Sequence, residues 1–524
     1  MTPTQRAIQR LPAHLRRYVV DQDPGAYTPR DQAVWRHILH KLAAHLGERA
    51  HESYRAGLTA TGIGLDRIPS LNEMNLKLEQ LGWSAVAVRG FIPPAVFTEL
   101  QSLGVLAIAA DIRSPEHIEY TPAPDIVHES AGHAPILADR RYAEYLKRCG
   151  EAGFRAIASV EDQAVYEAIR NLSVVKEDPS ATPGETWLAE ERLRAASASR
   201  RYVSESTRAS RLYWWTAEYG LVGSLDAPRI YGAGLLSSLG ESAHCLTPAV
   251  RKLPLDLTCA DTEYDITRMQ PQLFVARDFD QLFVVLEAFE ATLAWKRGGD
   301  FGLEEALRAR TVNHLALDDG LELTARVVER VQATRPLSPD LATSLVRLEG
   351  PVLLSRLGQS VGRPWPGQAL VAFGTGILPE HGAFSLELST GLSLTGFRIG
   401  EHEVINLRAH QGSRPLDIPS WALLILSASL PSVAGGPADP GAWDRWFGAQ
   451  NAFAEGNAEA EARARKAEAL PADVAALYDE VRRTREAGTP DAGILATLEA
   501  RAAAHPGEWL LKAELTELQL EVAR

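Results

Sequence analysis

Residues 124–135 read Pro-Asp-Ile-Val-His-Glu-Ser-Ala-Gly-His-Ala-Pro, and this stretch is the most informative part of the chain. It places two histidines, His128 and His133, five residues apart, with the acidic Glu129 beside the first. A neutral imidazole is a good ligand for iron, zinc, copper or nickel. Two imidazoles and one carboxylate form the facial ligand set that leaves coordination positions open on non-heme Fe(II). The stretch therefore predicts a metal site, with ordinary surface or core histidines as the alternative.

The spacing of the two histidines is not that of a regular helical metal site. Five residues advance an ideal α-helix by roughly 500°, so the two imidazoles would point about 140° apart. In zinc proteases the two histidines are four residues apart and share one helix face. A local distortion is therefore needed before both rings can reach one ion, and Gly132 and Pro135 are residues that permit one.

Length and composition are those of an ordinary globular protein. The 524 residues predict two or three domains, and 45% hydrophobic and 23% charged residues are typical values. The net charge of −13 disfavours nucleic acid and anionic membranes as main partners, because both require clustered cations. The three cysteines form no paired pattern. Because the sequence shows no apolar leader and no membrane-spanning stretch, we expect a cytoplasmic protein, and a homo-oligomer is compatible with these features.

Hydrophobic periodicity divides the chain into a helical part and a β-rich part, and the predicted fold class is mainly α. Residues 1–300 are expected to form one helical domain that carries the metal motif, with a helical lead-in at 1–50. The remaining chain is predicted as a helical connector at 301–345, a small β-rich module of unknown role at 346–430, and a linker with a helical segment at 431–524.

Individual helices are predicted from apolar residues at helical spacing and from capping residues. A polar, proline-containing stretch at 173–190 is expected to be a surface loop. The predicted helices lie at 31–48, 68–82, 139–154, 160–171, 187–198, 472–483 and 494–505.

A third metal ligand must come from another part of the chain. The best candidate is Glu218, which stands alone as an acid in the aromatic run Tyr213-Trp-Trp-Thr-Ala-Glu-Tyr-Gly. A charged group in such a setting is costly unless it is paired or binds a metal. The alternative is an exposed glutamate on a half-buried helix.

Four blocks of sequence together resemble the pterin-dependent aromatic amino acid hydroxylases. The resemblance covers roughly residues 50 to 295, and it is closest to the branch that hydroxylates phenylalanine, in particular to long bacterial forms with a C-terminal extension. The four blocks start at Tyr120 (Tyr-Thr-Pro-Ala-Pro-Asp-Ile-Val-His-Glu-Ser-Ala-Gly-His-Ala-Pro), Tyr213 (Tyr-Trp-Trp-Thr-Ala-Glu-Tyr-Gly-Leu), Tyr231 (Tyr-Gly-Ala-Gly-Leu-Leu-Ser-Ser-Leu-Gly-Glu) and Tyr264 (Tyr-Asp-Ile-Thr-Arg-Met-Gln-Pro-Gln-Leu-Phe-Val).

The resemblance implies the family's helical catalytic fold and a role for each matching residue. The implied iron ligands, which are also the implied catalytic residues, are His128, His133 and Glu218. The implied residues around the amino acid substrate are Arg113, which would bind its carboxylate, Thr121, Pro124, Trp214 and Ser237. The implied pterin site consists of Gly90, Phe91, Ile92, the stacking ring of Phe97, and Glu129.

The implied reaction is hydroxylation of the ring of L-phenylalanine to give L-tyrosine, with O₂, Fe(II) and tetrahydrobiopterin or a related tetrahydropterin. Trp214 and Ile266 match positions that favour phenylalanine as the substrate. Trp215 and Tyr219 replace phenylalanines that are more usual in the family, so the pocket is expected to differ in shape. The alternatives are hydroxylation of tryptophan or another aromatic amino acid, a zinc-dependent hydrolase, and a catalytically silent binding protein.

Overall fold

The computed structural model describes residues 1–119, 125–177, 181–266, 268–436, 470–488 and 491–522. Its α-helices are Pro3–Arg10, Pro29–Leu46, Ser53–Ala60, Leu71–Leu78, Pro94–Ser102, Arg140–Arg155, Val160–Glu177, Pro183–Ala198, Glu205–Tyr213, Ala233–Leu236, Leu239–His244, Phe279–Glu290, Ala294–Arg297, Gly299–Ala309, Ala472–Glu486, Ala492–Ala502 and Trp509–Val522. Two π-helices span Val127–His133 and Trp214–Glu218. Short 3-10 turns occupy Ala13–Tyr18, Pro24–Ala26, Glu79–Leu81, Pro115–His117, Pro135–Ala138 and Leu257–Asp261. Among the helices described here, none is both long enough and apolar enough to cross a bilayer.

The helix Pro29–Leu46 shows how closely local sequence signals set an element. The Thr28 side chain accepts a hydrogen bond from the Asp31 N–H, and the Asp31 carboxylate accepts one from the Thr28 N–H. This reciprocal capping box satisfies donors that the first helical turn leaves unpaired. Gly47 follows the last helical residue. The predicted apolar stripe is buried throughout, at Val34, Ile38, Leu42 and Leu46.

The predicted surface loop at 173–190 is wrong. The helix Val160–Glu177 continues beyond residue 173, and the next helix begins at Pro183. Proline is well accommodated at the first position of a helix, where its missing N–H would have no partner in any case. Thr182 and Glu185 form a capping box around it, so this proline starts a helix and does not interrupt one.

Three sheets accompany the helices, and their strands are numbered here in chain order. A parallel pair consists of β1 (Ser84–Val88) and β2 (Val105–Ala109). A four-stranded sheet has the order β4-β3-β6-β5 and consists of β3 (Leu221–Ser224), β4 (Ala227–Ile230), β5 (Arg251–Pro254) and β6 (Gln272–Ala276). An eleven-stranded sheet has the order β12-β13-β14-β16-β11-β9-β8-β7-β17, with β10 beside β9 and β15 beside β14. Its strands are β7 (Val312–Ala316), β8 (Leu321–Gln332), β9 (Thr343–Arg356), β10 (Gln359–Ser360), β11 (Ala369–Phe373), β12 (Gly382–Glu387), β13 (Leu392–Arg398), β14 (Glu403–Gln411), β15 (Arg414–Leu416), β16 (Trp421–Ser427) and β17 (Ser432–Ala434).

The predicted helical connector at 301–345 is wrong, and the β-rich part is larger than predicted. The helix Gly299–Ala309 ends at Arg310, whose φ of 59° lies in the left-handed region. The chain then enters β7 and β8, and the sheet extends from Val312 to Ala434. In β8 the apolar residues Leu321, Leu323, Ala325 and Val327 are buried at a period of two, and the polar residues Glu322, Thr324 and Arg326 alternate with them.

The C-terminal helices pack against the chain's own N-terminal part. Apolar residues of all three, including Leu477, Leu498 and Leu515, belong to the same hydrophobic core as Ile38 and Leu42 of the helix Pro29–Leu46. Within this interface the Arg36 guanidinium makes a bidentate ion pair with Glu514, at 2.8 and 2.6 Å. The predicted linker begins at residue 431, and its residues 437–469 lie outside the described part of the chain.

The same core surrounds the metal motif. Its members include Val127, Ala131 and Ala134 from the motif itself, Ala217 beside Glu218, and Leu235 from the helix Ala233–Leu236. These residues are almost completely buried. The three candidate ligands are therefore carried on segments that are fixed by apolar packing on the side away from the site.

Candidate metal centre

The three candidate ligands converge in the structure. His128 Nε2 lies 3.3 Å from Glu218 Oε2, and His133 Nε2 lies 3.1 Å from Glu218 Oε1. One potential ligand atom from each residue lies within 4.8 Å of the other two. The two imidazole rings are perpendicular, with centroids 5.1 Å apart. Two imidazoles and a carboxylate thus face one point, as a facial ligand set requires.

A π-helix resolves the unusual spacing of the histidines. The segment Val127–His133 is π-helical, so its hydrogen bonds connect residues five apart, and residues at this separation return to the same side. The predicted local distortion therefore takes the form of a wider helical turn. Glu218 also ends a π-helix, in which the Tyr219 N–H donates to the carbonyl of Trp214 at 2.8 Å. Both ligand-bearing segments use this rare helical form.

Gly132 allows the motif to lie against the helix Ala233–Leu236. A Cβ atom at this position would stand 2.6 Å from the carbonyl oxygen of Ala233, closer than a real Cβ approaches a backbone atom. A glycine at position 132 is therefore required for a second reason, which is the close approach of the helix Ala233–Leu236.

We expect Gly132→Ala to destabilise the protein by about 1–3 kcal/mol, because a rigid backbone contact must open. The displaced helix leads into Ser237, so affinity for a divalent metal should fall as well. Thermal unfolding and metal titration check these two effects. Gly64→Ala is the matched control, since its Cβ would meet nothing within 4 Å; equal behaviour of both variants would contradict the close-contact explanation.

The donor atoms fit a metal ion. Neither nitrogen of the buried His133 ring makes a well-aligned hydrogen bond within the described part of the chain. Burial disfavours the charged form of Glu218, but His133 and His128 outweigh this effect, so the pKa of Glu218 lies well below its usual range. An ionised carboxylate next to two imidazoles is the form that binds a cation.

Ser237 orients the first histidine. Its hydroxyl donates to the carbonyl of Ala233 at 2.7 Å and lies 3.0 Å from His128 Nδ1. Since the hydroxyl hydrogen is used in that bond, Ser237 Oγ accepts from an Nδ1–H of the imidazole. His128 Nε2 is then the unprotonated nitrogen that can bind a metal. The resemblance predicts Ser237 beside the substrate, and the structure places its hydroxyl against His128, a candidate metal ligand.

Ser237→Ala should lower metal affinity by about 10–100-fold, because an outer partner fixes the tautomer and direction of a ligand histidine. Ser242→Ala is a suitable control: Ser242 is equally buried, and its hydroxyl donates only to the carbonyl of Leu239. Equilibrium metal titration compares the two proteins. Wild-type affinity in Ser237→Ala would show that His128 does not depend on this bond.

Arg113 is buried beside the centre and is held by Asp125. Its Nε and Nη2 donate to the two Asp125 carboxylate oxygens at 2.8 and 2.7 Å, and Nη1 donates to the carbonyl of Ser237 at 3.2 Å. Burial raises the pKa of Asp125, but Arg113 outweighs this effect, so the pKa lies below its usual value. Of the five guanidinium N–H groups, one on each terminal nitrogen has no partner among the described residues.

Trp214 lies in a stack of three aromatic rings. It stacks on Tyr219 with a centroid distance of 4.5 Å and on Tyr264 with a distance of 4.3 Å. Its indole N–H is buried and has no partner among the described residues. The two tyrosine rings hold the predicted wall residue in place, and Tyr219 is one of the departures noted in the sequence.

The residues predicted to bind the pterin lie in two groups. One consists of Phe97 and the loop 90–92, and the other is Glu129 beside the candidate metal ligands. Phe97 is half-buried, and its ring meets Tyr213 edge to face at 5.8 Å. In the loop before it, Gly90 has a φ of 59°, and the carbonyl of Phe91 accepts a hydrogen bond from the Tyr166 hydroxyl at 2.9 Å. The N–H groups of Phe91 and Ile92 donate no hydrogen bond within the described residues, so backbone donors remain for a ligand.

Glu129 is buried next to the candidate metal ligands. Burial is the main cause that raises its pKa to about 8, and the charge of Glu218 adds to the effect. An acid in this environment can hold a proton at neutral pH and donate it in a hydrogen bond. The predicted substrate residues Thr121 and Pro124 lie outside the described residues.

Sequence reasoning missed Asp125, Tyr213 and Gln101. Asp125 is inside the quoted motif, where an acid three residues before a ligand could have been recognised as its partner. Tyr213 directly precedes Trp214, and its ring lies 6.4 Å from that of His133. Gln101 had no signal at all, since only the fold brings it to the Tyr213 hydroxyl.

The candidate ligands lie in a part of the chain that is similar to known proteins. The profile of the family described as biopterin-dependent aromatic amino acid hydroxylase matches residues 21–168 and 193–314. Phenylalanine-4-hydroxylase of Chromobacterium violaceum is 30% identical over 269 residues, which are 51% of this chain and 76% of that protein. The enzyme of the same name from Pseudomonas aeruginosa is 30% identical over 259 residues, 49% of this chain and 82% of that protein. A crystal structure of the Chromobacterium violaceum enzyme with iron(III) and 7,8-dihydrobiopterin is 28% identical, covers 55% of this chain and 90% of its own, and has a TM-score of 0.41.

Proposed function

This chain belongs to the biopterin-dependent aromatic amino acid hydroxylases, and from that premise we propose that it hydroxylates L-phenylalanine to L-tyrosine with O₂ and a tetrahydropterin. The observation that carries the proposal is the convergence of His128, His133 and Glu218 from two π-helices. Curated relatives of this family that match the chain bear the name phenylalanine-4-hydroxylase.

His128, His133 and Glu218 would hold Fe(II). When bound, the iron and the tetrahydropterin supply the activation of O₂ and the two electrons that the reaction consumes. The protein's own contribution is to hold the ligands in a fixed geometry. Ser237 presents the correct nitrogen of His128, and apolar packing around Ala131 and Ala217 excludes water from the side away from the open positions.

Arg113 would bind the carboxylate of the amino acid. The two guanidinium N–H groups that have no partner among the described residues lie on different terminal nitrogens, and such a fork suits the two oxygens of a carboxylate. Asp125 fixes the orientation of this fork and also accepts a hydrogen bond from the N–H of His128 at 3.0 Å. One carboxylate therefore couples the substrate anchor to a metal ligand, which supports a single defined position for the substrate ring.

The pterin would lie on Phe97, with its edge on the backbone of Gly90, Phe91 and Ile92. The half-buried ring and the two N–H groups that have no partner within the described ranges support this assignment, since a flat heterocycle requires both a stacking surface and donors at its edge. Glu129, which is buried next to the candidate ligands, would add a polar contact on the side of the metal.

The test is a reaction of the purified full-length chain with Fe(II), a tetrahydropterin, O₂ and L-phenylalanine. We expect tyrosine to form in proportion to the pterin consumed, and no product when the iron is removed by chelation. Tryptophan as the better substrate would favour the tryptophan alternative. Tightly bound zinc with pterin-independent hydrolysis would instead support a hydrolase and would overturn the proposal.

A further inference from the structure

Gln101 is a buried polar residue at the junction of the pterin site and the metal centre. It lies on the helix Pro94–Ser102, one turn after Phe97, so the two side chains share a helix face. Both contact the same residue. The Phe97 ring meets the edge of Tyr213, and Gln101 Nε2 donates a hydrogen bond to the Tyr213 hydroxyl at 2.8 Å.

Tyr213 in turn contacts the metal centre. It is the last residue of the helix Glu205–Tyr213 and directly precedes the π-helix that carries Glu218. Its ring lies 6.4 Å from the His133 imidazole at an interplanar angle of 33°. One tyrosine ring thus stands between the stacking surface of Phe97 and a metal ligand, and its hydroxyl is held by Gln101.

Stability does not explain an amide at this position. Gln101 is only 3% exposed, and its Oε1 has no hydrogen-bond partner among the described residues. Burying an amide costs more than one neutral hydrogen bond returns when half of the amide stays unpaired. A methionine has a similar length and no such cost, so it should be at least as stable here when Tyr213→Phe also removes the hydroxyl that would otherwise lose its partner.

We infer that Gln101 is a positioning residue, which fixes the Tyr213 ring through its hydroxyl and so sets the distance between the pterin surface and the metal ligand. This inference rests on the proposed function for its consequence in turnover. Without the hydrogen bond, Tyr213 can change rotamer, and the surface offered to the pterin moves relative to the metal. The pterin would then bind less tightly, and its oxidation would produce less tyrosine.

The test uses three full-length variants, which are Gln101→Met, Tyr213→Phe and the double variant. Two quantities are measured: the dissociation constant of 7,8-dihydrobiopterin for the iron-free protein by calorimetry, and the ratio of tyrosine formed to tetrahydropterin consumed. We expect Gln101→Met to weaken dihydrobiopterin binding by about 2–10-fold and to lower the product ratio. The double variant leaves neither partner unpaired, so its unfolding temperature should be unchanged or raised. The double variant should be no worse than Tyr213→Phe alone, because both changes break the same hydrogen bond.

Three results would overturn the inference. The first is wild-type pterin binding and product ratio in Gln101→Met. The second is that Gln101→Met weakens pterin binding by the same factor in the wild-type background and in the Tyr213→Phe background. The substitution would then act by a route other than the hydrogen bond to Tyr213. The third is a lower unfolding temperature for the double variant than for Tyr213→Phe, which would show that the amide serves stability. Because dihydrobiopterin binding needs no turnover, these results are distinct from failure of the proposed function, in which the wild-type chain would form no tyrosine.

Discussion

Glu218→Ala is expected to lose Fe(II) and, with it, hydroxylation of phenylalanine. Glu218 contacts both histidine ligands and supplies the only charge among the three, so its loss leaves two neutral imidazoles that hold a divalent ion weakly. The fall in activity should exceed the roughly 10–100-fold that loss of an outer partner of a metal ligand causes. Iron content of the purified protein and the rate of tyrosine formation are the two measurements.

The control for this variant is Glu290→Gln. Glu290 is also a buried acid, ion-paired to Arg148 at 2.8 Å, and it belongs to the helix Phe279–Glu290, which carries none of the three ligands. This variant should retain iron and activity. Full iron content in Glu218→Ala would mean that the carboxylate is not a ligand and would remove the main support for the proposed centre.

Glu514→Ala is expected to cost about 3–5 kcal/mol of stability, because it leaves the Arg36 guanidinium buried without its counter-charge. Both side chains are almost inaccessible, at 4% and 1% exposure, and the pair lies in the interface between the C-terminal helices and the helix Pro29–Leu46. Denaturant unfolding followed by circular dichroism should show an earlier transition. Proteolysis in native buffer should cut first within the C-terminal helices, since their docking is weakened.

The double variant Arg36→Met/Glu514→Met separates the ion pair from the packing. When both charges are replaced by apolar side chains of similar size, most of the lost stability should return. If Glu514→Ala lowers the free energy of unfolding by less than about 1 kcal/mol, the pair contributes no more than an ordinary surface salt bridge. That result would contradict the described interface.

Much of the candidate site could be predicted because its signals are local. His128, His133 and Glu218 lie in short motifs whose residue types indicate metal binding, and the structure brings all three together. The helix Pro29–Leu46 could be predicted for the same reason, since Thr28, Asp31 and its apolar stripe lie within one short segment. The roles of the substrate and pterin residues stay predictions, although Arg113 and Phe97 lie in surroundings that suit them.

The errors have the opposite cause. The segment Leu321–Gln332 has charged residues between apolar ones, and its assignment as a strand depends on pairing with β7 and β9 on either side. Nothing within the segment itself indicates that these two neighbouring strands exist. Pro183 is the exception, because its signal is local: Thr182 and Glu185 cap the helix that begins at this proline.

The sequence by itself determined which side chains can bind a metal, which family the chain resembles, and where well-capped helices begin. Those properties depend on residue type and on neighbours in the chain. Only the tertiary structure decided that the motif is a π-helix, that Ser237 serves His128, that Gln101 holds Tyr213, and that Glu514 neutralises Arg36. These are contacts between residues 109, 112 and 478 positions apart, or, for the π-helix, a backbone form that lies against a neighbouring helix at Gly132. Such features arise from packing across the fold, and for that reason no local pattern contains them.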